Sequence, residues 1–66
     1  MEITLNGATR TIPEQTSASA LLLSLGLANK RLALEINLEI VPRSHFDQHM
    51  IQPGDTIEIV HAIGGG

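Results

Sequence analysis

The sequence of 66 residues contains no cysteine, tryptophan or tyrosine, and Phe46 is its one aromatic residue. Without cysteine, the chain has no disulfide framework, no zinc–thiolate site and no thiol for redox or thioester chemistry. A chain of this length buries only about 60% of the surface that it exposes when unfolded. Aliphatic side chains must therefore supply most of the stability of a single small domain.

Basic residues are also few, since four lysines and arginines accompany seven acidic residues and give a formal net charge of −3. The four basic residues form no run, so the chain lacks the basic patch that nucleic-acid binding requires. The most apolar stretch, ASALLLSLGLA, is too short to cross a bilayer. Met1 leads directly into an alternating pattern instead of a charged and then apolar leader. We therefore expect a cytoplasmic protein with neither a nucleic-acid nor a membrane partner.

The opening segment, MEITLNGATRTI, predicts a β-hairpin. Asn6 and Gly7 suit the two positive-φ positions of a two-residue turn between extended segments. Such a turn places Ile3 opposite Arg10, which interrupts the apolar face. We expect Arg10 at the rim of the core, with its stem packed and its charged head in water.

The segment TSASALLLSLG changes to helical spacing. Four apolar side chains lie at positions i, i+3, i+4 and i+7 of one helix face: Ala18, Leu21, Leu22 and Leu25. Thr16 or Ser17 is a suitable N-cap and Gly26 a left-handed stop, which together give a helix of about nine residues. A helix this short requires a sheet to pack against.

Three later segments predict strands: RLALEIN, EIVP and DTIEIVHAI. In the first, alternate residues face inward: Leu32, Leu34 and Ile36. Pro42 ends the second, which is typical of an edge strand. Ser44 is expected to cap one helical turn before the third, and three residues there are expected to fill the core: Phe46, Met50 and Ile51. The order predicts an α+β domain at residues 1–63, a mixed sheet of four to five strands packed on one helix, with a flexible glycine tail at 64–66.

No catalytic cluster is evident from residue spacing. His45 and His49 have the i, i+4 spacing of two metal ligands on a helix. A further ligand would have to come from Asp47, which points elsewhere on a helix, or from the distant His61, and we interpret the pair as surface histidines. No serine or threonine is paired with a base. The carboxylates are interpreted as outward-facing charges: Glu35, Glu39, Asp55 and Glu58. We therefore predict no metal site, no bound cofactor and no enzymatic activity of the chain itself.

The sequence closes on HAIGGG. Glycine loses more backbone freedom on ordering than any other residue, so this run adds nothing to a core. A carboxylate on a string without side chains can, however, enter a narrow channel of another protein, and Gly64 to Gly66 reach about 10 Å when extended. This makes Gly66 the candidate reactive group, with Gly64 and Gly65 as the threading segment. A frayed terminus or a cloning remnant is the alternative interpretation.

Several segments together resemble the sulfur carrier family of thiazole (thiamin) biosynthesis, the ThiS family, whose members have a ubiquitin-like β-grasp fold. They are MEITLNG, the short helix, LALEIN, IVPR and GDTIEIVHAIGGG, and the last two are the most specific. Two positions differ from the family pattern. Leu38 stands where the family usually has glycine, which puts the turn geometry there in question. Phe46 stands where the family often has tryptophan, a change expected to conserve packing.

The resemblance implies that Gly66 is a covalent carrier site. A ubiquitin-activating-like adenylyltransferase, of the ThiF type, would join its carboxylate to AMP from MgATP. Sulfur from the persulfide of a cysteine desulfurase would then displace AMP and give a thiocarboxylate. A thiazole synthase, of the ThiG type, would take this sulfur into the thiazole ring. The chain would thus be a carrier and co-substrate, monomeric when free.

Docking to these partners is expected on the outer sheet face beside the tail. The candidate contact residues are Val60, Ala62, Ile63 and Ile40, because an exposed apolar patch next to a functional end commonly marks a partner surface. Scattered surface aliphatics are the alternative. Three other functions remain open: a sulfur carrier like the small subunit of molybdopterin synthase, a ubiquitin-like protein modifier, and a non-covalent interaction module with an inert tail.

Overall fold

The computed structural model describes residues 1–61 of the chain. Five strands form one sheet: β1 (Glu2–Leu5), β2 (Ala8–Thr11), β3 (Leu32–Ile36), β4 (Glu39–Val41) and β5 (Thr56–His61). Their order is β2-β1-β5-β3-β4. The sheet is mixed, because β1 and β5 run parallel while the other neighbouring strands run antiparallel. One α-helix, α1 (Ala18–Ser24), and a single 3₁₀ turn at Arg43–His45 accompany these strands, which confirms the predicted α+β class.

The first hairpin has the predicted register. Ile3 lies opposite Arg10, and the turn residues Asn6 and Gly7 have φ angles of 48° and 84°. Arg10 is exposed, as expected for a charged residue at the edge of the core. The tight turn therefore fixes which side chains of β1 face the helix.

The helix begins and ends where its sequence predicts, although its regular part has seven residues and not nine. Ser17 is the N-cap, and its side chain accepts a hydrogen bond from the Ala20 N–H at 3.0 Å. Gly26, at φ 75°, provides the left-handed stop, and the Leu27 N–H donates to the Leu22 carbonyl at 2.8 Å. This last bond closes a Schellman motif. The difference in length arises because the two caps, Ser17 and Leu25, flank the seven helical residues.

The core lies between the helix and one face of the sheet. Four elements each contribute one of the largest fully buried side chains: Ile3, Leu21, Leu34 and Ile57. Burial of an aliphatic side chain of this size contributes about 1.5–3 kcal/mol. Strands β3 and β5 supply the middle of this core, because alternate residues of both strands are buried.

Two predictions for the segment after β4 are wrong. The 3₁₀ turn begins at Arg43, with Pro42 at its N-cap and no side-chain capping bond, so Ser44 lies inside the turn and does not cap it. Met50 does not fill the core, because 41% of it is exposed. It pairs with Ser17 in an isolated antiparallel bridge. Neighbouring residues of an extended segment point to opposite sides, so Ile51 is buried in its place.

None of the helices within residues 1–61 has the length and hydropathy that a membrane crossing needs.

Candidate functional site

Strand β5 carries the chain toward the predicted reactive end, and it lies in the middle of the sheet. It pairs with β1 on one side at Thr56 and Ile57. On the other side it pairs with β3 over five positions, the last of which places His61 opposite Leu32. Ile57 and Ile59 point into the core and are 0% and 8% exposed. β5 is therefore paired on both sides at its beginning, and on the β3 side as far as His61.

Five of the predicted site residues lie outside the described part of the chain: Ala62, Ile63, Gly64, Gly65 and Gly66. Their proposed roles in docking, threading and covalent attachment therefore stay predictions. The boundary at residue 63 between the domain and its glycine tail also falls in this region.

Two asparagine side chains hold the backbone of β5. The Ile59 N–H donates to Asn6 Oδ1 at 2.8 Å, and the Thr56 N–H donates to Asn37 Oδ1 at 2.9 Å. Both asparagines have positive φ angles, 48° and 54°, a conformation that asparagine tolerates better than most residues. Sequence reasoning identified the turn at Asn6 but missed the bond to β5, because the partner is 53 residues away along the chain.

Asp55, just before β5, corrects an expectation. It is 8% exposed and not an outward-facing charge. Its Oδ2 accepts a hydrogen bond from the Gln52 N–H at 2.8 Å, and its Oδ1 accepts one from Asn37 Nδ2 at 2.9 Å. A buried carboxylate requires such donors, and these two connect the turn before β5 to the turn after β3.

The turn between β3 and β4 keeps a two-residue geometry although it lacks glycine. Asn37 and Leu38 have φ angles of 54° and 69°. Leucine in this left-handed region is strained by roughly 1–2 kcal/mol. The Leu38 side chain is also 86% exposed, so within residues 1–61 no packing compensates for the strain.

The outer face of the sheet, on the side away from α1, contains the two described candidate contact residues. Val60 is 55% exposed and lies opposite Ala33. Ile40, on β4, is 71% exposed and lies opposite Glu35. Both are thus available to a partner, as their prediction requires.

The same face carries an arrangement of charges that sequence reasoning did not identify. Glu35 of β3 lies directly opposite Glu58 of β5. The two residues are 23 positions apart in the sequence, so no local pattern brings them together. The pairing depends on the register of β3 against β5, which local sequence patterns do not contain.

The two histidines considered as metal ligands lie in the loop after β4. The His49 N–H donates to the His45 carbonyl at 2.9 Å. Asp47, between them, accepts a hydrogen bond from the Ser19 hydroxyl at 2.5 Å. Across residues 1–61, no three His, Asp or Glu side chains come together in an arrangement suited to a metal ion.

The order of the elements defines the class of fold. In chain order, one hairpin precedes and one follows a helix that crosses one face of the sheet. The first and last strands, β1 and β5, run parallel to each other as neighbours inside the sheet. This is the ubiquitin-like β-grasp fold that the sequence predicts.

Comparisons with known proteins identify the family. The family model described as "ThiS family" matches residues 3–66, and the chain belongs to this family. A crystal structure of the thiamine biosynthesis protein ThiS from Geobacter metallireducens matches with a TM-score of 0.87 and 32% identity, covering 100% of both chains. The sulfur carrier protein ThiS of Escherichia coli is 50% identical over 34 residues, which are 52% of each chain.

Part of a larger protein also matches the chain. A thiazole synthase of Paramagnetospirillum magneticum is 42% identical over 66 residues, which are 100% of this chain and 20% of the synthase. A thiazole synthase of Magnetococcus marinus matches over the same proportions at 39% identity. The chain therefore spans about a fifth of the length of these relatives.

Proposed function

We propose that this chain is a sulfur carrier of thiamin biosynthesis. In this proposal the Gly66 carboxylate is adenylated and then converted to a thiocarboxylate, which donates its sulfur to thiazole formation. The main support is membership of the ThiS family over residues 3–66, which include the glycine run. The position of β5 agrees with this role, because the strand that leads toward the glycine run is held in the centre of the sheet.

Activation is needed because a carboxylate is a poor electrophile. An adenylyltransferase of the ThiF type would use MgATP to form the acyl adenylate at Gly66 and release pyrophosphate. The persulfide of a cysteine desulfurase would then attack the acyl carbon and displace AMP. A thiol would cleave the resulting acyl disulfide, which takes two electrons and leaves the terminal thiocarboxylate.

Sulfur transfer would follow on a thiazole synthase of the ThiG type. The thiocarboxylate sulfur is a nucleophile held on a protein, so it is not lost as free sulfide. After transfer, hydrolysis would return Gly66 to a carboxylate. The two thiazole synthases that contain a stretch similar to this whole chain support this choice of pathway over the molybdopterin pathway. All of this chemistry occurs in partner active sites, so the chain acts as a co-substrate and binds no cofactor of its own.

Docking would use the outer sheet face beside the tail. Val60 and Ile40 are exposed there, and we assign the same role to Ala62 and Ile63. Apolar contact at this face would orient the carrier, while Gly64 and Gly65 would pass through a channel too narrow for side chains.

Intact-mass spectrometry tests the proposal directly. The purified chain is incubated with its adenylyltransferase, MgATP, cysteine desulfurase, cysteine and a thiol reductant. The mass should rise by the difference between one sulfur and one oxygen atom. Fragmentation of the product should locate this gain at Gly66. The starting mass also verifies that Gly66 is the last residue of the chain used.

Two controls identify alternatives. A variant without Gly66, and the chain with its terminal carboxylate converted to an amide, should gain no mass. A gain in either variant would place the chemistry elsewhere and contradict the proposal. Isopeptide adducts on lysines of other proteins would indicate a ubiquitin-like modifier, and full cellular function after removal of the three glycines would indicate a non-covalent module.

A further inference from the structure

Glu35 and Glu58 form a like-charged pair on the outer face of the sheet. They are directly opposite in the antiparallel register of β3 and β5. Side chains in such positions have Cβ atoms about 4.5–5.5 Å apart, and like charges there destabilise the sheet. This unfavourable contact lies between two neighbouring strands in the interior of the sheet, and not at its edge.

The described part of the chain places no cation between these two carboxylates. Its one ion pair joins the Met1 amine to Glu14, and the Arg43 guanidinium donates to the Lys30 carbonyl. Arg31 has the same strand parity as Glu35 but precedes it by four residues, about 13 Å along an extended chain. Residues 62–66 contain no basic side chain, so the chain itself does not neutralise the pair.

Apolar side chains flank the acidic pair on both sides. Ile40 is the β4 neighbour of Glu35, and Val60 follows Glu58 by two positions on the same face of β5. These two aliphatic residues are 71% and 55% exposed. The surface therefore combines two carboxylates with two apolar side chains, a composition that suits a cation with an apolar stem.

We propose that Glu35 and Glu58 together receive one arginine side chain of the partner that activates the carrier, with Ile40 and Val60 packing around it. Arginine fits better than lysine, because its planar guanidinium has five N–H donors and can bond two carboxylates at once. It is also the more weakly hydrated cation, which favours its burial beside apolar groups. This inference rests on the proposed function for the identity of the partner, and it assigns a role to a pair of carboxylates that no described cation neutralises.

The test measures binding to the cognate adenylyltransferase by calorimetry without ATP, and the steady-state adenylation rate with ATP. Glu35→Gln and Glu58→Gln should each raise the Kd and the KM for the carrier by about tenfold or more, because a desolvated charge pair loses one partner. The kcat should stay unchanged, since the proposed contact contributes to binding of the carrier and not to the chemistry at its carboxylate. The matched control is Glu2→Gln, which removes the same charge from β1 and should change the KM by less than about twofold.

The stability of the same variants supplies a second readout, which should stay equal or rise while partner binding weakens. Each of the Glu35→Gln and Glu58→Gln variants should unfold at an equal or higher urea concentration than the native chain, because the repulsion is relieved. Weaker binding together with lower stability would instead indicate a structural role and overturn the inference. Raising the salt concentration should weaken binding of the native chain more steeply than binding of either variant.

The outcomes separate the two proposals. Suppose that the native chain is adenylated and that the Glu35, Glu58 and Glu2 variants bind the adenylyltransferase with equal affinity. The proposed arginine site is then wrong, and the carrier function stands. Suppose instead that the native chain binds the enzyme without being adenylated and that the Glu35 and Glu58 variants lose binding. The proposed arginine site then stands, and the carrier function fails. If the native chain neither binds nor reacts, both are wrong.

Discussion

The side chain of Asn6 accepts a hydrogen bond from the backbone N–H of Ile59 at 2.8 Å. β1 ends at Leu5, so Ile59 lies beyond the end of the neighbouring strand. Asn6 therefore supplies the acceptor that a further strand residue would otherwise supply. This amide adds a side-chain hydrogen bond to the backbone pairing between the first hairpin and β5.

Loss of this acceptor should destabilise the domain. Asn6→Gly keeps the positive φ angle but leaves the Ile59 N–H without its partner, so the free energy of unfolding should fall by about 1–2 kcal/mol. Asn6→Asp is the matched control, because it keeps an oxygen at the same place and should lose less. Urea titration measures both, and amide exchange at Ile59 should accelerate in the glycine variant alone. Equal stability of the glycine and native chains would contradict the role given to Asn6.

Replacement of Asp55 should destabilise the domain, and the loss of stability should be larger when no acceptor oxygen remains. Asp55→Ala leaves the Gln52 N–H and the Asn37 amide without an acceptor in a buried position, and we expect a loss of about 2–3 kcal/mol. Asp55→Asn keeps one carbonyl oxygen and should lose less. Thermal unfolding of the two variants distinguishes them, and a mild effect of the alanine change would show that water replaces these bonds.

Leu38 offers a stabilising substitution. Leu38→Gly should relieve the strain of a φ angle of 69° and raise the free energy of unfolding by about 1 kcal/mol. Leu38→Ala removes the same exposed side chain but keeps the strain, so its stability should match that of the native chain. Denaturant unfolding of the three proteins provides the comparison. A glycine variant less stable than the alanine variant would contradict the strain argument.

Paired substitutions can separate the proposed docking role of the outer face from general surface hydrophobicity. Val60→Ser should weaken binding to the adenylyltransferase by about tenfold, because an apolar contact is lost. Leu23→Ser is the matched control, since Leu23 is 69% exposed on α1 and belongs to the opposite layer. Calorimetric Kd values for both variants decide the matter, and equal losses would mean that the helix face also contacts the enzyme.

Most of the fold could be predicted from local sequence patterns. Alternation identified the strands, the Ser17 and Gly26 signals placed the ends of the helix, and Asn6-Gly7 fixed the first hairpin. The local rules gave no reason to bury Asp55, because its donors come from two separate turns. They also predicted core burial for Met50, whereas Met50 is 41% exposed and its neighbour Ile51 is buried.

For the candidate site too, some features could be predicted from the sequence and others could not. The outward orientation of Val60 followed from the alternation of residues along β5, which needs only the sequence. The facing of Glu35 and Glu58 depended on the register between β3 and β5, and the bonds from Asn6 and Asn37 to β5 depended on which strands are neighbours. Long-range pairing is the information that a single sequence with short-range patterns does not contain.

The central position of β5 also has a consequence for protein synthesis. Thr4 pairs with Thr56, so the sheet cannot close until Thr56 has left the ribosome. A product that terminates before Thr56 lacks its middle strand and remains a substrate for proteases. A folded domain is therefore one in which β5 is present.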